Sequence, residues 1–249
     1  MKLSTVVSAR TNKAVYRDGD MAIKVFGSSF SKTEVLGEAL NQTMAEEAGL
    51  PVPVVLGVTR IEGKWAIVSD FIEGRTLSMM MSEKPRDYFE YLELFVDIQI
   101  DMHTKRAPLM PALWNRMHLK LDQADMDDAT RFALHAKLAA MPKHNKICHG
   151  HFCPDNIIIT PTGQHYILDW PLAAQGNASA DVARTYLLFL VEGKHAAAEH
   201  YLDLFCRKSQ TDKSYVQGWI SIVAAVQSVN GGMEEREFLY NWMNIYYHD

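Results

Sequence analysis

Short apolar and β-branched runs, separated by turn residues, fill the first third of the chain. Runs of this kind predict β-strands, here at Ser4–Val7, Ala14–Arg17, Met21–Phe26, Val54–Thr59 and Trp65–Phe71. Asp18-Gly19-Asp20 and Glu62-Gly63 supply the turn chemistry of hairpins. Between the third and fourth runs, the segment from about Lys32 to Ala48 is predicted to be a helix, which Gly49 and Pro51 end. This region therefore predicts a small antiparallel sheet with one helix.

The hydrophobic pattern becomes helical in the rest of the chain. Tyr88 to His103 carries its apolar residues at a helical spacing, and similar segments are Asp127–Met141, Ala180–Glu192, His195–Lys208, Lys213–Val229 and Glu234–Tyr247. One interruption reads as a β-hairpin, because Asn156–Thr160 and Tyr166–Leu168 are short apolar runs joined through Pro161-Thr162-Gly163.

The change of pattern at Glu73-Gly74-Arg75 predicts a boundary between two lobes. Residues 1–74 are expected to form an N-terminal lobe, and residues 75–249 a larger, mainly helical C-terminal lobe. The fold class predicted from these elements is α+β.

Composition and charge narrow the possible partners. With 249 residues, 48% hydrophobic and 22% charged, the chain has the balance of a globular protein. A net charge of −5 argues against a nucleic-acid partner. The whole acidic excess lies in residues 76–249, which fits either a cationic small molecule or a solvated surface.

The sequence also bears on the compartment. Three cysteines are too few for a disulfide framework and indicate a reducing environment. The start of the chain lacks the pattern of a signal peptide, and its best apolar stretch, Trp219–Val226, is too short to span a bilayer. We therefore expect a cytoplasmic protein with no membrane partner. Cys148 and Cys153 flank His149 and His151, which leaves a metal site there as an alternative.

The ends of the predicted hairpin carry candidate metal ligands. Asn156 begins its first run and Asp169 follows its second. Antiparallel strands return the chain to its starting point, so the two side chains should lie close together. Amide and carboxylate oxygens suit a Mg²⁺ ion bound to phosphates.

These residues belong to a longer motif, His149-Gly150-His151-Phe152-Cys153-Pro154-Asp155-Asn156, followed by Ile167-Leu168-Asp169-Trp170. The motif resembles the catalytic loop and metal-binding segment of the aminoglycoside phosphotransferase and choline kinase-like family. A further segment, from Gly176 to Arg184, is similar to one in which the residue at Asp181 usually bonds the catalytic loop. The resemblance implies a protein-kinase-like fold with two lobes, and an ATP-dependent phosphotransferase with Mg²⁺ or, as an alternative, Mn²⁺.

The first third resembles the same family. Ala22-Ile23-Lys24-Val25 is similar to the strand that offers a lysine to the nucleotide phosphates, with Glu38 as its expected ion-pair partner and Glu34 as the second choice. By resemblance, backbone groups of Asp70, Phe71 and Ile72 would meet adenine. The loop that would cover the phosphates contains no glycine, so Thr11 and Asn12, with Lys13, are candidates there, and an ordinary polar hairpin tip is the alternative.

The main departure from the family is His151, which stands where the catalytic aspartate is expected. Three interpretations stay open: His151 is the general base, the protein is a pseudokinase, or His151 is a ligand to a transition metal. Asp155 is a weaker candidate for the missing carboxylate.

The resemblance thus implies transfer of the γ-phosphoryl group of ATP to a hydroxyl of an aminoglycoside-, choline- or sugar-like acceptor. The candidate catalytic residues are His151, Asn156 and Asp169. The alternative is a nucleotide-binding pseudokinase or regulatory module.

Overall fold

The computed structural model describes residues 5–10 and 12–244. Its strands are β1 Thr5–Arg10, β2 Lys13–Asp18, β3 Met21–Phe26, β4 Val55–Ile61, β5 Lys64–Asp70, β6 Arg75–Thr76, β7 Lys146–Cys148, β8 Ile157–Ile159, β9 His165–Ile167 and β10 Ala174–Gly176. Its α-helices are α1 Lys32–Glu47, α2 Leu77–Glu83, α3 Tyr88–Met102, α4 Leu113–Gln123, α5 Asp128–Ala140, α6 Ala178–Val191, α7 His195–Ser209, α8 Lys213–Ser228 and α9 Met233–Asn244.

The N-terminal strands form a five-stranded antiparallel sheet in the order β1-β2-β3-β5-β4. Strand β3 is its central strand, and Ile23 at its middle is fully buried. Helix α1 covers the sheet through an apolar cluster of Phe26, Val35, Ala39 and Ile67. The sheet therefore holds β3 rigidly and fixes where Lys24 projects.

Local sequence chemistry sets both ends of α1. The Ser31 side chain accepts a hydrogen bond from the Glu34 backbone N–H, and the Glu34 carboxylate accepts one from the Ser31 backbone N–H. This reciprocal pair is a capping box, which satisfies N–H groups that the first helical turn leaves without partners. Gly49 follows the helix with φ of 80°, a left-handed conformation that glycine adopts without strain.

The chain divides into two compact units. The first contains the described residues up to Tyr91 together with Pro154–Ala173. The later segment joins it through pairing of β8 with β6 and through a 2.8 Å hydrogen bond from the Ile167 N–H to the Pro51 carbonyl. The segment 154–173 thus belongs with the N-terminal sheet, whereas the lobe boundary after residue 74 stays a prediction.

The second unit contains Leu92–Cys153 and the described residues from Ala174 onward. Helix α6 is buried along most of its length and packs against α7 and α8, while α8 also packs against α4 and α9. The short strands β7 and β10 pair antiparallel, which places the chain just before His149 beside the chain just before α6.

The predicted α+β class is confirmed, as are the antiparallel N-terminal sheet and the hairpin between Asn156 and Asp169. Part of the first predicted strand and the end of the last predicted helix lie outside the described residues. Helices α2 and α4 and strands β6, β7 and β10 were not expected from the pattern. Across residues 5–10 and 12–244, no helix is long and apolar enough to cross a membrane.

Candidate functional site

Lys24 stands at the centre of a charged cluster in the first unit. Its ammonium group donates hydrogen bonds to the Glu38 carboxylate on α1 and to the Asp169 carboxylate after β9. Glu38 is 3% exposed, whereas Lys24 and Asp169 are about one-fifth exposed. Burial lowers the pKa of Lys24, but the two carboxylates outweigh burial and raise it above its ordinary value. Lys24 is therefore a fixed positive charge at neutral pH.

The cluster includes a second cation, Lys13, at the start of β2. Its Nζ lies 3.3 Å from the Glu38 carboxylate and 3.8 Å from the Asp169 carboxylate. Val15 pairs directly with Lys24 across the hairpin, so Lys13, two residues earlier, faces the same side of the sheet. Two lysines and two carboxylates thus share one partly exposed position.

The two glutamates considered for the ion pair have different tasks. Glu38 pairs with Lys24, as expected, whereas the Glu34 carboxylate accepts hydrogen bonds from the Ser31 backbone and hydroxyl. The Ser31 hydroxyl and backbone accordingly lower the pKa of Glu34.

Asp169 is held in an unusual backbone conformation. Its φ is 67°, in the left-handed region that residues with a Cβ seldom occupy. The next residue, Trp170, is fully buried; its indole N–H donates to the Ile167 carbonyl at 3.0 Å, and its own carbonyl accepts from Asn41 at 3.0 Å. The buried tryptophan anchors the turn that directs the Asp169 carboxylate toward Lys24.

Asn156 lies next to Asp169 across the base of the hairpin. It ends a short 3₁₀ turn, Pro154–Asn156, and is 4% exposed. Its carbonyl accepts a 2.8 Å hydrogen bond from the Leu168 N–H, so it lies opposite the residue before Asp169. The expected juxtaposition of the two hairpin ends is present.

This donor set suits a hard cation. Mg²⁺ in phosphate-binding sites takes one or two protein carboxylates or amides and completes its octahedron with phosphate oxygens and water. Asn156 and Asp169 match that pattern. Within the part of the chain that the structure describes, no three His, Cys, Asp or Glu side chains come together as a metal site. Burial raises the pKa of the Cys148 thiol well above its ordinary value, which disfavours a thiolate ligand there.

The segment proposed to meet adenine follows β5. The Asp70 N–H donates to the Val54 carbonyl at 3.0 Å, and the Phe71 N–H donates to the Asp20 carbonyl at 2.8 Å. The Arg17 guanidinium lies over the Phe71 ring, 4.2 Å from its centroid. The backbone N–H groups of Asp70 and Phe71 are thus both used within the first unit. The Ile72 N–H makes no backbone hydrogen bond within the described residues, so it is the donor of this segment that could bond a purine.

The glycine-free loop is represented by Asn12, because Thr11 lies outside the described residues. Asn12 is exposed, and its carbonyl accepts a 2.8 Å hydrogen bond from the Gly27 N–H. A Cβ at Gly27 would lie 3.1 Å from that carbonyl oxygen, so glycine permits the close approach. This contact fixes the turn from which Lys13 enters the charged cluster.

In the second unit, Asp181 holds the loop that contains His151. Its buried carboxylate accepts hydrogen bonds from the backbone N–H groups of His149, at 3.2 Å, and Gly150, at 2.7 Å, and from His103 Nε2 at 3.1 Å. Burial raises the pKa of Asp181, but the His103 and Gly150 hydrogen bonds outweigh it and leave the pKa lowered. Asp181 is therefore an ionised anchor for this loop.

His151 belongs to that anchored loop. Its backbone N–H donates to His149 Nδ1 at 3.2 Å, and Gly150 between them has φ of 78°. The following residue, Phe152, is fully buried, and its ring lies 4.5 Å from that of Phe95. The His151 side chain is partly exposed, whereas Asp155, the weaker candidate for the base, is exposed.

The structure thus brings Lys24, Glu38, Asn156 and Asp169 together in the first unit, with the segment Asp70 to Ile72 on the same sheet. From the sequence, Lys13 is a candidate only within the loop that would cover the phosphates, and not as a member of the charged cluster. The hairpin turn that places Val15 opposite Lys24 would have revealed its position, because alternate residues of a strand share a face.

Comparisons with known proteins bear on the family and on the fold. A family model described as the phosphotransferase enzyme family matches residues 6–219. A comparison with curated protein sequences finds no match.

Solved structures of low sequence identity share the fold. An aminoglycoside-3'-phosphotransferase of type VIII is 16% identical with a TM-score of 0.69, covering 91% of this chain and 94% of that one. Choline kinase LicA from Streptococcus pneumoniae is 17% identical with a TM-score of 0.62, covering 96% and 92%. A thermostable mutant of aminoglycoside phosphotransferase APH(4)-Ia, in a ternary complex with AMP-PNP and hygromycin B, is 17% identical with a TM-score of 0.68, covering 95% and 90%. The expected kinase-like fold is confirmed.

Proposed function

The chain belongs to the phosphotransferase enzyme family, and from this membership we propose that it transfers the γ-phosphoryl group of ATP to a hydroxyl of a small molecule. The observation that carries the proposal is the complete ion-paired group of Lys24, Glu38 and Asp169. A lysine held between two carboxylates suits a nucleotide site, because its positive charge is kept in one place for the phosphates.

Each end of the nucleotide has a candidate partner in the first unit. Lys24 supplies positive charge for the phosphates, and Glu38 holds it in place. The Ile72 N–H and the backbone around Asp70 supply polar groups for adenine. A solved relative that binds AMP-PNP supports the choice of an adenine nucleotide.

Asn156 and Asp169 are the proposed Mg²⁺ ligands. A bound Mg²⁺ would neutralise phosphate charge, and Mn²⁺ would suit the same oxygen donors. The buried Trp170 anchors the turn at Asp169, and the backbone carbonyl of Asn156 is bonded to the Leu168 N–H, so the chain holds both residues at the base of the hairpin.

His151 is the proposed general base. A neutral imidazole nitrogen can accept a proton from a hydroxyl, which is the task of a general base. Anchoring of its loop by Asp181 restricts the position of the imidazole. The acceptor itself is left as a hydroxyl compound, since the relatives include kinases of aminoglycosides and of choline.

His151 also supports a second candidate, a nucleotide-binding pseudokinase. A histidine in place of the family's aspartate removes the usual base, and loss of a general base costs about 10²–10⁴-fold in rate. The two candidates share the nucleotide site and differ in whether phosphoryl transfer follows.

The first experiment is thermal unfolding with ATP or GTP, each with Mg²⁺ or Mn²⁺. Wild type is compared with Asp169→Asn and with Asp155→Asn, an exposed carboxylate one residue from Asn156. Saturation at about 100 times the dissociation constant adds about 2.7 kcal/mol, a shift of several degrees. We expect a metal-dependent shift in wild type and Asp155→Asn that disappears in Asp169→Asn. An equal shift in all three proteins contradicts the assigned metal site.

The second experiment separates enzyme from pseudokinase through His151→Asp. If His151 is the working base, this variant should transfer phosphate more slowly than wild type, because it removes the imidazole that accepts the proton. In a pseudokinase, the same change should increase transfer. An unchanged rate would mean that neither assignment of His151 is correct.

A further inference from the structure

Arg184 lies on α6 beside the loop that contains His151. On the same helix, Asp181 bonds the backbone of His149 and Gly150, and the Thr185 hydroxyl donates to the Phe152 carbonyl at 2.9 Å. Because successive helical residues are about 100° apart, Arg184 projects about 60° from Asp181 around the helix axis. It therefore borders the face of α6 that holds the loop.

The charge of Arg184 has no dedicated counter-ion among the described residues. Its Nε is buried and has no hydrogen-bond partner within the described residues. Burial lowers the pKa of Arg184; Asp181 and Glu235 oppose this effect, and Arg116 adds to it. A guanidinium nevertheless stays protonated in proteins, so this is a standing positive charge.

The two nearby carboxylates are already engaged. Asp181 is bound to two backbone N–H groups and to His103. Glu235 accepts a 2.9 Å hydrogen bond from Gln227 Nε2. A partly buried cation without its own partner is costly, and a bound water or ion is among the explanations for such a group. The planar guanidinium fits a carboxylate or phosphate through two parallel hydrogen bonds.

We propose that Arg184 binds an anionic group of the acceptor, so that the natural acceptor is a hydroxyl compound carrying a carboxylate or a phosphate. This inference rests on the proposed phosphotransferase function and names its substrate class. It replaces the cationic acceptor that the acidic C-terminal residues suggested, because a cation bound here would meet Arg184 and Arg116.

The first test measures anion binding without any need for the true acceptor. Thermal unfolding is followed with inorganic phosphate or malonate at constant ionic strength, with and without saturating Mg²⁺·ADP. The variants are Arg184→Gln, Arg184→Lys and the control Arg207→Gln, which removes an exposed arginine from α7. General stabilisation by excluded anions affects all four proteins equally. Anion binding at Arg184 is therefore read from the difference between the proteins in the anion-induced shift of melting temperature.

One of the two anions, phosphate or malonate, should bind wild type more tightly than the other. We expect wild type and Arg207→Gln to bind that anion about 10–100 times more tightly than Arg184→Gln does, which is the range for a charge-assisted hydrogen bond. Arg184→Lys should fall between them. Without anion, Arg184→Gln should be close to wild type in stability, because it removes a partly buried charge together with its attraction to Asp181 and Glu235. A large loss of stability in Arg184→Gln, or equal anion binding in all four proteins, would overturn the proposal. Whether phosphate or malonate binds more tightly separates a phosphate-bearing from a carboxylate-bearing acceptor.

The second test uses acceptors matched in size: glycerol, glycerate, glycerol 3-phosphate and choline, with hygromycin B as a large cation. Stabilisation by the anionic compounds, lost in Arg184→Gln, supports the assignment. Stabilisation by choline or hygromycin B that Arg184→Gln leaves unchanged contradicts it. A failure of ATP to shift the unfolding of wild type would instead count against the proposed function, and the nucleotide-free anion measurements would still decide the role of Arg184.

Discussion

The ion pair between Lys24 and Glu38 can be tested by Glu38→Gln, which keeps the shape of the side chain and removes its charge. Removing one partner of a buried ion pair costs about 3–5 kcal/mol. The two lysines that contact Glu38 are partly exposed, Lys24 at 20% and Lys13 at 22%, and Lys24 keeps its bond to Asp169 in the variant. We therefore expect a loss of about 2–3 kcal/mol, or a fall in melting temperature of about 5–10 °C.

The matched control is Glu34→Gln, four residues earlier on α1. A glutamine still serves the capping box at this position, so the free energy of unfolding should fall by less than about 1 kcal/mol. Urea unfolding gives both values. Calorimetric titration with Mg²⁺·AMP-PNP should show affinity reduced by about 10–100-fold in Glu38→Gln, because Lys24 loses the group that orients it, and unchanged affinity in Glu34→Gln. Equal stabilities of the two variants, together with equal affinities, would refute the assignment of Glu38.

Three further predictions concern groups outside this cluster. Burial raises the pKa of Asp181, but its hydrogen bonds lower it, and the pKa ends below its ordinary value. Ionised Asp181 therefore stabilises the fold above about pH 4, and this stabilisation is lost as the pH falls. Asp181→Asn should lower the free energy of unfolding at pH 7 and should flatten its dependence on pH, measured by urea unfolding from pH 3 to 7. Burial lowers the pKa of His118, so protonation favours the unfolded state; stability should decrease as pH falls below about 6.5, and His118→Gln should reduce that decrease. Gly74→Ala would place a Cβ 2.5 Å from the Ile159 carbonyl oxygen and should cost about 1–3 kcal/mol, whereas Gly37→Ala meets nothing within 4 Å and should be neutral or stabilising in thermal unfolding.

Much of the candidate site could be predicted because short sequence signals encode it. The hairpin between Asn156 and Asp169 followed from its turn residues. The strand around Lys24 followed from its apolar pattern, and the choice of Lys24 itself from the resemblance of Ala22-Ile23-Lys24-Val25 to the family's strand. Glu38 and Glu34 were harder to separate, since both lie on one face of α1. Their difference became visible only in the hydrogen bonds of Ser31.

The features that the sequence did not reveal depend on tertiary packing. Helix α4 buries only Met117 and Leu121, so its apolar stripe is too narrow to stand out. Helix α2 spans seven residues, which is too short for a periodicity to emerge. Arg184 carries no local signal at all, because the lack of a partner for a buried group arises only when other helices surround it.

The composition of the first unit from two distant segments has a consequence for protein synthesis. Lys24 and Asp169 are 145 residues apart, so at about 5–20 residues per second the ribosome takes about 7–30 s to supply the second carboxylate. Until then the nascent sheet holds two lysines against one glutamate, and β6 lacks its partner β8. The first unit is therefore completed late in translation, and a fragment released before Pro154 would lack both the Asp169 carboxylate that pairs with Lys24 and the strand that pairs with β6.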